Sequence, residues 1–161
     1  MGTGRGDCSG GSSVRLEDWI VIDCAPKPLY EIISDVEGHT TLLPGYSESK
    51  IIEHRPNGNV ILQREAVIHG RRRRWKSEVS FEEGKTLRFR QLEGPLTDMK
   101  VAWSLEPIPQ GTRFRIIHDV DVRPWWKKWW MEQLIAKPAI EATARTVLKA
   151  IKVAAEARSR T

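Results

Sequence analysis

The sequence is poor in cysteine, and its histidines are dispersed. Only two of the 161 residues are cysteines, Cys8 and Cys24. Two thiols are too few for a disulfide framework, so the expected compartment is a reducing cytoplasm. The cysteines lack metal-ligand spacing, and none of the four histidines has a helical i, i+4 partner. No metal site is therefore predicted.

Other motifs that would indicate a function are also missing. No hydrophobic run approaches the roughly 20 residues that a bilayer-spanning helix requires. The sequence contains neither a glycine-rich phosphate loop nor a Gly-x-Ser-x-Gly nucleophile elbow. No pair of acidic residues is indicated as a catalytic pair by its spacing. These absences predict no cofactor and identify no set of catalytic residues.

The composition is that of one globular domain. Charged residues make up 29% and hydrophobic residues 40% of the chain, a balance typical of folded proteins. The Gly/Ser-rich residues 1–13 are predicted to be a flexible tail, and residues 14–161 a single domain. A net charge of +5 is compatible with acidic partners such as anionic lipid surfaces. The basic tetrad at 71–74 has no stacking aromatics on its face, so nucleic acid is not the predicted partner.

Hydrophobic periodicity and turn signals predict the order of elements. A first strand is expected at 14–23, and two short helices at about 27–35 and 37–43. Turn residues at intervals of about ten then separate six further strands. These are expected at about 46–54, 60–69, 71–82, 86–93, 97–106 and 112–122. Short connections between consecutive strands favour an antiparallel meander.

A long amphipathic helix is predicted to follow Pro124. Its apolar stripe comprises Ile140, Ala144, Val147, Ile151 and Ala154. Pro138 is expected either to kink this helix or to separate it from a preceding segment. The stripe must cover an apolar surface, and the sheet is the only large candidate. The predicted fold is therefore α+β, with a curved antiparallel sheet of about seven strands wrapped around the C-terminal helix.

Several motifs resemble a known superfamily. They are the "AP…LY.II.DVE" opening, the "LLPG" exit from the second helix, and the "W.L.P…GT" signature from Trp103 to Thr112. Over residues 15–157 the chain resembles the START-like (SRPBCC, helix-grip) superfamily, in particular its polyketide cyclase/dehydrase and coenzyme Q-binding branch. The resemblance implies a cavity that binds or transports a hydrophobic small molecule, such as a lipid, an isoprenoid quinone or a polyketide-like compound. It also leaves open a polyketide aromatase/cyclase and a partner-binding module, because one fold hosts several functions.

Strand alternation predicts which side chains line the cavity. In 71–82 the inward set contains Arg73, which is either a solvated rim residue or a charged donor to the ligand. In 112–122 the single titratable inward residue is His118, a core residue or a proton shuttle. Tyr46 is a further candidate for orienting the ligand. The complete predicted ligand-binding set is Arg73, Trp75, Phe81, Phe89, Trp103, His118, Tyr46, Leu42 and Leu43.

Four tryptophans and two lysines are concentrated in the segment that precedes the long helix. On a helix the tryptophans would share one face and the lysines would occupy the other. The tryptophan face is predicted to close the cavity, to contact an anionic membrane or to bind another protein. The residues concerned are Trp125, Trp126, Trp129, Trp130, Lys127 and Lys128.

Overall fold

The computed structural model describes residues 13–68, 70–94, 98–121 and 136–160. Strand β1 (Ser13–Ile22) is followed by helix α1 (Pro26–Ser34), a 3-10 helix (Val36–Gly38) and the one-turn helix α2 (His39–Leu42). Six strands come next: β2 (Tyr46–His54), β3 (Val60–Ile68), β4 (Arg71–Glu82), β5 (Thr86–Glu93), β6 (Lys100–Ile108) and β7 (Gly111–Asp121). The last described element is helix α3 (Ala136–Ser159).

All seven strands belong to one antiparallel sheet. Its order is β1-β7-β6-β5-β4-β3-β2, so β2 to β7 form the predicted meander. Strand β1 joins the far edge beside β7, with Val14 opposite Val120 and Ile22 opposite Thr112. The predicted order of elements, including the short helices between β1 and β2, is confirmed.

One face of the sheet is buried, as the alternation predicts. In β7, residues 112, 114, 116, 118 and 120 are buried, whereas the intervening residues are partly exposed. The core side chains of β5 and β6, Leu87, Phe89, Trp103 and Leu105, belong to the same apolar layer. This layer forms the concave side of the sheet, and α1 and α3 pack against it.

Helix α3 covers the concave face with a stripe close to the predicted one. Ala155 is fully buried, whereas the predicted Ala154 is only partly buried. The predicted positions alternate spacings of four and three, and this repeat drifts from the buried face of a helix that has about 3.6 residues per turn. Pro138 is the third described residue of the helix. No helix among the described residues is long and apolar enough to cross a membrane.

The convex face of the sheet carries ion pairs between neighbouring strands. Arg74 lies 3.2 Å from a carboxylate oxygen of Glu65 and 3.5 Å from one of Glu48. Arg72 lies 3.5 Å from Glu65. The basic tetrad is therefore divided by strand alternation, since Arg72 and Arg74 face outward while Arg73 has the opposite orientation.

Gly111 allows the close approach of two chain segments. Its φ of +134° is one that side-chain-bearing residues rarely adopt. A Cβ atom at this position would overlap the carbonyl oxygen of Ile22. The glycine therefore permits β7 to begin directly against the end of β1.

Candidate site: a cavity beside a buried arginine

A cavity of about 170 Å³ opens between the sheet and helix α3. Three parts of the fold form its walls: the connection from α2 to β2, the end of β3, and one face of α3. The cavity is lined by Leu43, Pro44, Tyr46, Val67, Ile68, Ala142, Thr143, Thr146 and Val147. The lining is mainly apolar, as is usual for small-molecule sites.

Tyr46 contacts both the cavity and the buried residues on the concave face of the sheet. Its side chain lines the cavity, and its ring centroid lies 4.8 Å from the guanidinium carbon of Arg64. The ring also makes an edge contact with Trp75, at 6.0 Å between centroids. Gly45, with φ +83°, turns the chain into β2 and accepts a 2.9 Å hydrogen bond from Val67 N. This bond fixes Tyr46 beside β3.

Arg64 is a buried cation on the concave face. It belongs to β3, and only 4% of its surface is exposed. Its guanidinium lies over the rings of Tyr46 and Phe89, at 4.8 and 5.5 Å from their centroids. Cation–π contacts of this kind contribute roughly 0.5–2 kcal/mol each and compensate only part of the lost hydration.

Among the described residues, no carboxylate pairs with the charge of Arg64. Within the described ranges its polar contact is with His39, and its Nε has no hydrogen-bond partner. Burial lowers the pKa of the guanidinium, but an arginine side chain stays protonated at neutral pH. An unpaired buried charge costs several kcal/mol. The buried positive charge of Arg64 therefore lowers the free energy of unfolding.

His39 is the neutral partner of Arg64. Its side chain is fully buried, and its Nε2 lies 2.8 Å from the carbonyl oxygen of Ile33. Its Nδ1 lies 2.6 Å from Nη2 of Arg64. Burial and the positive charge of Arg64 lower the pKa of His39 to about 3. The imidazole is therefore uncharged at neutral pH.

Aromatic rings surround this pair. Trp103 stacks on His39 with 5.3 Å between centroids and an angle of 25° between planes. The same indole contacts Phe89 at 5.1 Å and Phe114 at 5.9 Å. The rings give the His39–Arg64 pair a rigid, largely apolar surrounding.

Two more polar residues lie on the concave face. His118 of β7 is buried, and burial lowers its pKa to about 4. Gln91 of β5 is 5% exposed, and its Oε1 has no hydrogen-bond partner among the described residues. Both residues share the orientation of buried apolar residues in their strands, Ile116 and Val120 for His118 and Phe89 for Gln91, and they face the same interior as Arg64. The interior is therefore apolar with a few separate polar groups.

Residues 22–152 match the family described as "Polyketide cyclase / dehydrase and lipid transport". The chain belongs to this family. The match covers all the elements from the end of β1 to most of α3. It includes both the cavity and the Arg64 site.

Solved structures share the START-like, helix-grip fold. An aromatase/cyclase called Zhui, from a Streptomyces species, superposes with a TM-score of 0.81 at 18% identity, covering 93% of this chain and 98% of that one. A START superfamily protein from Mycobacterium smegmatis gives 0.74 at 18% identity, with 88% and 97% covered. The di-domain aromatase/cyclase StfQ of the steffimycin pathway gives 0.77 at 17% identity, with 92% of this chain covered. This chain spans about half the length of StfQ, 52%.

The structure brings most of the predicted ligand-binding residues to the concave side. Leu43 and Tyr46 line the cavity, and Leu42 packs on the core beside them. Phe89 and Trp103 are buried next to Arg64 and His39. Whether these residues contact a ligand remains a sequence-based prediction.

Seven of the nine predicted residues are not part of the cavity lining: Leu42, Arg73, Trp75, Phe81, Phe89, Trp103 and His118. Phe81 is 37% exposed, and its predicted contact with a ligand stays a prediction. It has the same orientation as the buried Val79 and lies one residue before the end of β4. Arg73 is half-buried opposite Ala66 and is not part of the cavity lining.

Sequence reasoning missed Arg64 and His39. The signal for Arg64 was present, because it lies between the apolar Leu62 and Ala66 at a spacing of two in β3. Arginine is usually a surface residue. Arg64 was therefore not assigned to the buried face, although the alternation in β3 places it there. His39 lies in a helix of one turn, where no periodicity indicates which side chains are buried.

The tryptophan and lysine cluster at 125–130 lies outside the described residues. Its three predicted roles, a cavity lid, a membrane contact and a protein contact, therefore remain hypotheses. Among the described residues, no group of three or more His, Cys, Asp or Glu side chains could hold a metal ion.

Proposed function

We propose that this protein binds a hydrophobic small molecule that carries an anionic or strongly polar oxygen, and that Arg64 binds this oxygen. The observation that supports the proposal is the buried guanidinium without a carboxylate partner in the described chain. Replacing such a charge with an apolar residue would often stabilise a protein. A binding role explains why the charge is present in an apolar interior.

The cavity supplies the apolar part of the proposed site. Burial of ligand carbon atoms favours binding by about 25 cal/mol per Å² before the costs of association. A volume of about 170 Å³ is smaller than the roughly 300–1,000 Å³ of typical ligand sites. A ligand of that size therefore requires movement of wall residues. Tyr46 lines the cavity and also contacts the guanidinium of Arg64, so rotation of its ring is the movement that we expect to connect the two.

A guanidinium suits anionic oxygen acceptors. Its N–H groups form charge-assisted hydrogen bonds with carboxylates, sulfonates and enolates, and these are stronger at low dielectric. The unpartnered Nε of Arg64 is available for such a bond. The ligand class is therefore an apolar compound with one acidic or enolisable end.

Two fluorescent probes test this proposal because they share a ring system and differ in charge. We expect the wild-type protein to bind anilinonaphthalene sulfonate more tightly than the neutral phenylnaphthylamine. The ratio of their dissociation constants is called the sulfonate preference here. Arg64→Met should reduce the sulfonate preference by roughly 10- to 100-fold, because a hydrogen bond to a charged group contributes about 1.5–3 kcal/mol. Fluorescence titration with both probes measures it.

Arg88→Met is the matched control, because Arg88 is an exposed arginine of β5 that pairs with Glu82 on the surface. It removes the same net charge without altering the interior, so it should retain the sulfonate preference. Equal effects of the two substitutions would contradict the role of Arg64. Near-ultraviolet circular dichroism checks that each variant keeps its tertiary packing.

A second candidate function is polyketide aromatase/cyclase activity. Three observations favour it: the cation Arg64, the neutral His118 on the same concave face, and the likeness to solved proteins named aromatase/cyclases. In such a reaction Arg64 would stabilise an enolate. The neutral His118 would accept the α-proton as the enolate forms. The enolate carbon would then form a C–C bond with a carbonyl carbon, and the resulting alkoxide oxygen would take that proton back from His118 before water leaves.

A linear poly-β-ketone thioester tests this candidate. Wild-type protein should accelerate the loss of one water and the appearance of aromatic absorbance, followed by mass spectrometry and ultraviolet spectroscopy. Arg64→Met should lower the rate by about 100-fold or more, as for the loss of an oxyanion donor. A rate equal to the spontaneous one, with the sulfonate preference intact, would contradict the cyclase candidate and leave the binding role.

A further inference from the structure

We propose that His39 is a positioning residue for Arg64, one that orients the guanidinium through a neutral acceptor and so leaves its positive charge available to a ligand. The inference rests on the proposed binding role of Arg64. It concerns a residue that would act through another rather than by touching the ligand itself.

The contacts of His39 determine its tautomer. The carbonyl oxygen of Ile33 can only accept a hydrogen bond, so Nε2 of His39 carries the hydrogen and donates it over 2.8 Å. The guanidinium of Arg64 can only donate, so Nδ1 of His39 accepts over 2.6 Å. Both contacts require the same neutral form. The imidazole is thus a fixed link from a backbone carbonyl to the guanidinium.

The surroundings of His39 prevent the ring from turning. One face of the ring stacks on Trp103, and the backbone carbonyl of His39 accepts a 2.8 Å bond from Leu43 N. The preceding segment is tied to β2, because Ser49 Oγ donates to Val36 O over 2.6 Å. Glu37 Oε1 accepts a bond from Ile51 N over 2.9 Å. The direction of the guanidinium is therefore set by a rigid part of the fold.

The neutrality of this acceptor has a direct consequence for the site. A carboxylate in the place of His39 would hold Arg64 equally well but would cancel its charge. The interior would then attract an anion far less, because a paired guanidinium gains little from a second negative group. An imidazole with its proton on Nε2 orients the guanidinium of Arg64 and leaves the positive charge of Arg64 uncompensated. This distinction separates a positioning role from a purely structural ion pair.

Two substitutions of nearly equal size separate geometry from charge. The amide of His39→Gln can accept from Arg64 and donate to Ile33 O, so this variant should keep the sulfonate preference within about 3-fold. His39→Glu accepts from Arg64 but neutralises it, and its sulfonate preference should fall about 10-fold or more. Phenylnaphthylamine affinity should stay within about 3-fold in both variants, since the neutral probe has no charge to match.

A third variant covers the case in which the glutamate variant does not fold. His39→Phe keeps a ring against Trp103 but removes both hydrogen bonds, and we expect its sulfonate preference to fall by about 10-fold. Equal sulfonate preferences in the Gln and Glu variants, or an unchanged preference in the Phe variant, would overturn the role of His39. If Arg64→Met also retains the preference, the binding role of Arg64 itself is wrong. If Arg64→Met loses it, only the inference about His39 fails.

Discussion

Lowering the pH from neutrality to about pH 4 is expected to reduce the free energy of unfolding by several kcal/mol. The cause is the pair of buried neutral imidazoles, His39 and His118. In the unfolded chain both rings take up a proton near the ordinary histidine pKa of 6.5. In the folded protein burial holds the two pKa values at about 3 and about 4, with the charge of Arg64 also acting on His39. Acid therefore favours the unfolded state.

The sign and the pH window follow from these values. Stability is full above pH 6.5 and falls as the pH drops, because the unfolded state then binds more protons than the folded state. Each imidazole contributes a slope of about 1.4 kcal/mol per pH unit. By about pH 4 the loss from each ring is about 3 kcal/mol. The loss from His118 ends near its folded pKa of about 4, and that from His39 continues towards about 3.

Urea unfolding at several pH values measures this dependence. His39→Gln and His118→Gln should each remove about half of the slope between pH 6.5 and pH 4. His54→Gln, which removes an exposed histidine of β2, should leave the slope unchanged. A free energy of unfolding that stays constant over this window would show that the two buried rings take up protons without unfolding.

Trp103→Ala is expected to lower the free energy of unfolding by about 3–5 kcal/mol. Trp103 is 4% exposed and contacts three other rings, those of His39, Phe89 and Phe114. Its removal leaves a void that the surrounding β-sheet residues cannot fill without backbone shifts. The variant also lacks the surface on which His39 stacks, so the sulfonate preference should decline together with stability. Denaturant unfolding and the two-probe titration measure the two effects.

Trp19→Ala is the matched control. Trp19 lies on β1, is 51% exposed, and has the guanidinium of Arg113 5.0 Å from its ring. An exposed cation–π contact is worth about 0.5–1 kcal/mol, so the loss of stability should not exceed about 1 kcal/mol. Comparable losses from the two tryptophan substitutions would mean that the Trp103 ring cluster does not anchor the core.

The sequence predicted the sheet well because turn residues and alternation are local signals. The punctuation at 55–59, 82–85 and 107–111 lies at or beside the turns between strands. The alternation in β7 correctly assigned Phe114, Ile116 and His118 to the buried face. Because one face of the sheet is buried, the alternation of apolar and polar residues is strict. A shift of the strand register by one residue would expose every apolar side chain to water.

The errors arose where burial depends on distant parts of the chain. Alternation gives the orientation of Phe81 but not its degree of burial, which is lower than that of Val79 two residues earlier. The burial of Arg64 depends on the rings of Tyr46 and Phe89, which belong to other strands. The burial of His39 depends on a tryptophan far along the sequence. No local pattern contains these contacts, so the polar centre of the site became visible only in three dimensions.

The pairing of β1 with β7 also bears on how the chain folds. Every other strand pair in the sheet joins consecutive segments, whereas this pair joins the first strand to the last. Closing so long a loop costs more conformational entropy than closing a hairpin, and contacts of high sequence separation slow folding. During synthesis β1 has no partner strand until nearly the entire sheet has left the ribosome. Until then its unpaired edge can pair with other chains, and such pairing favours aggregation.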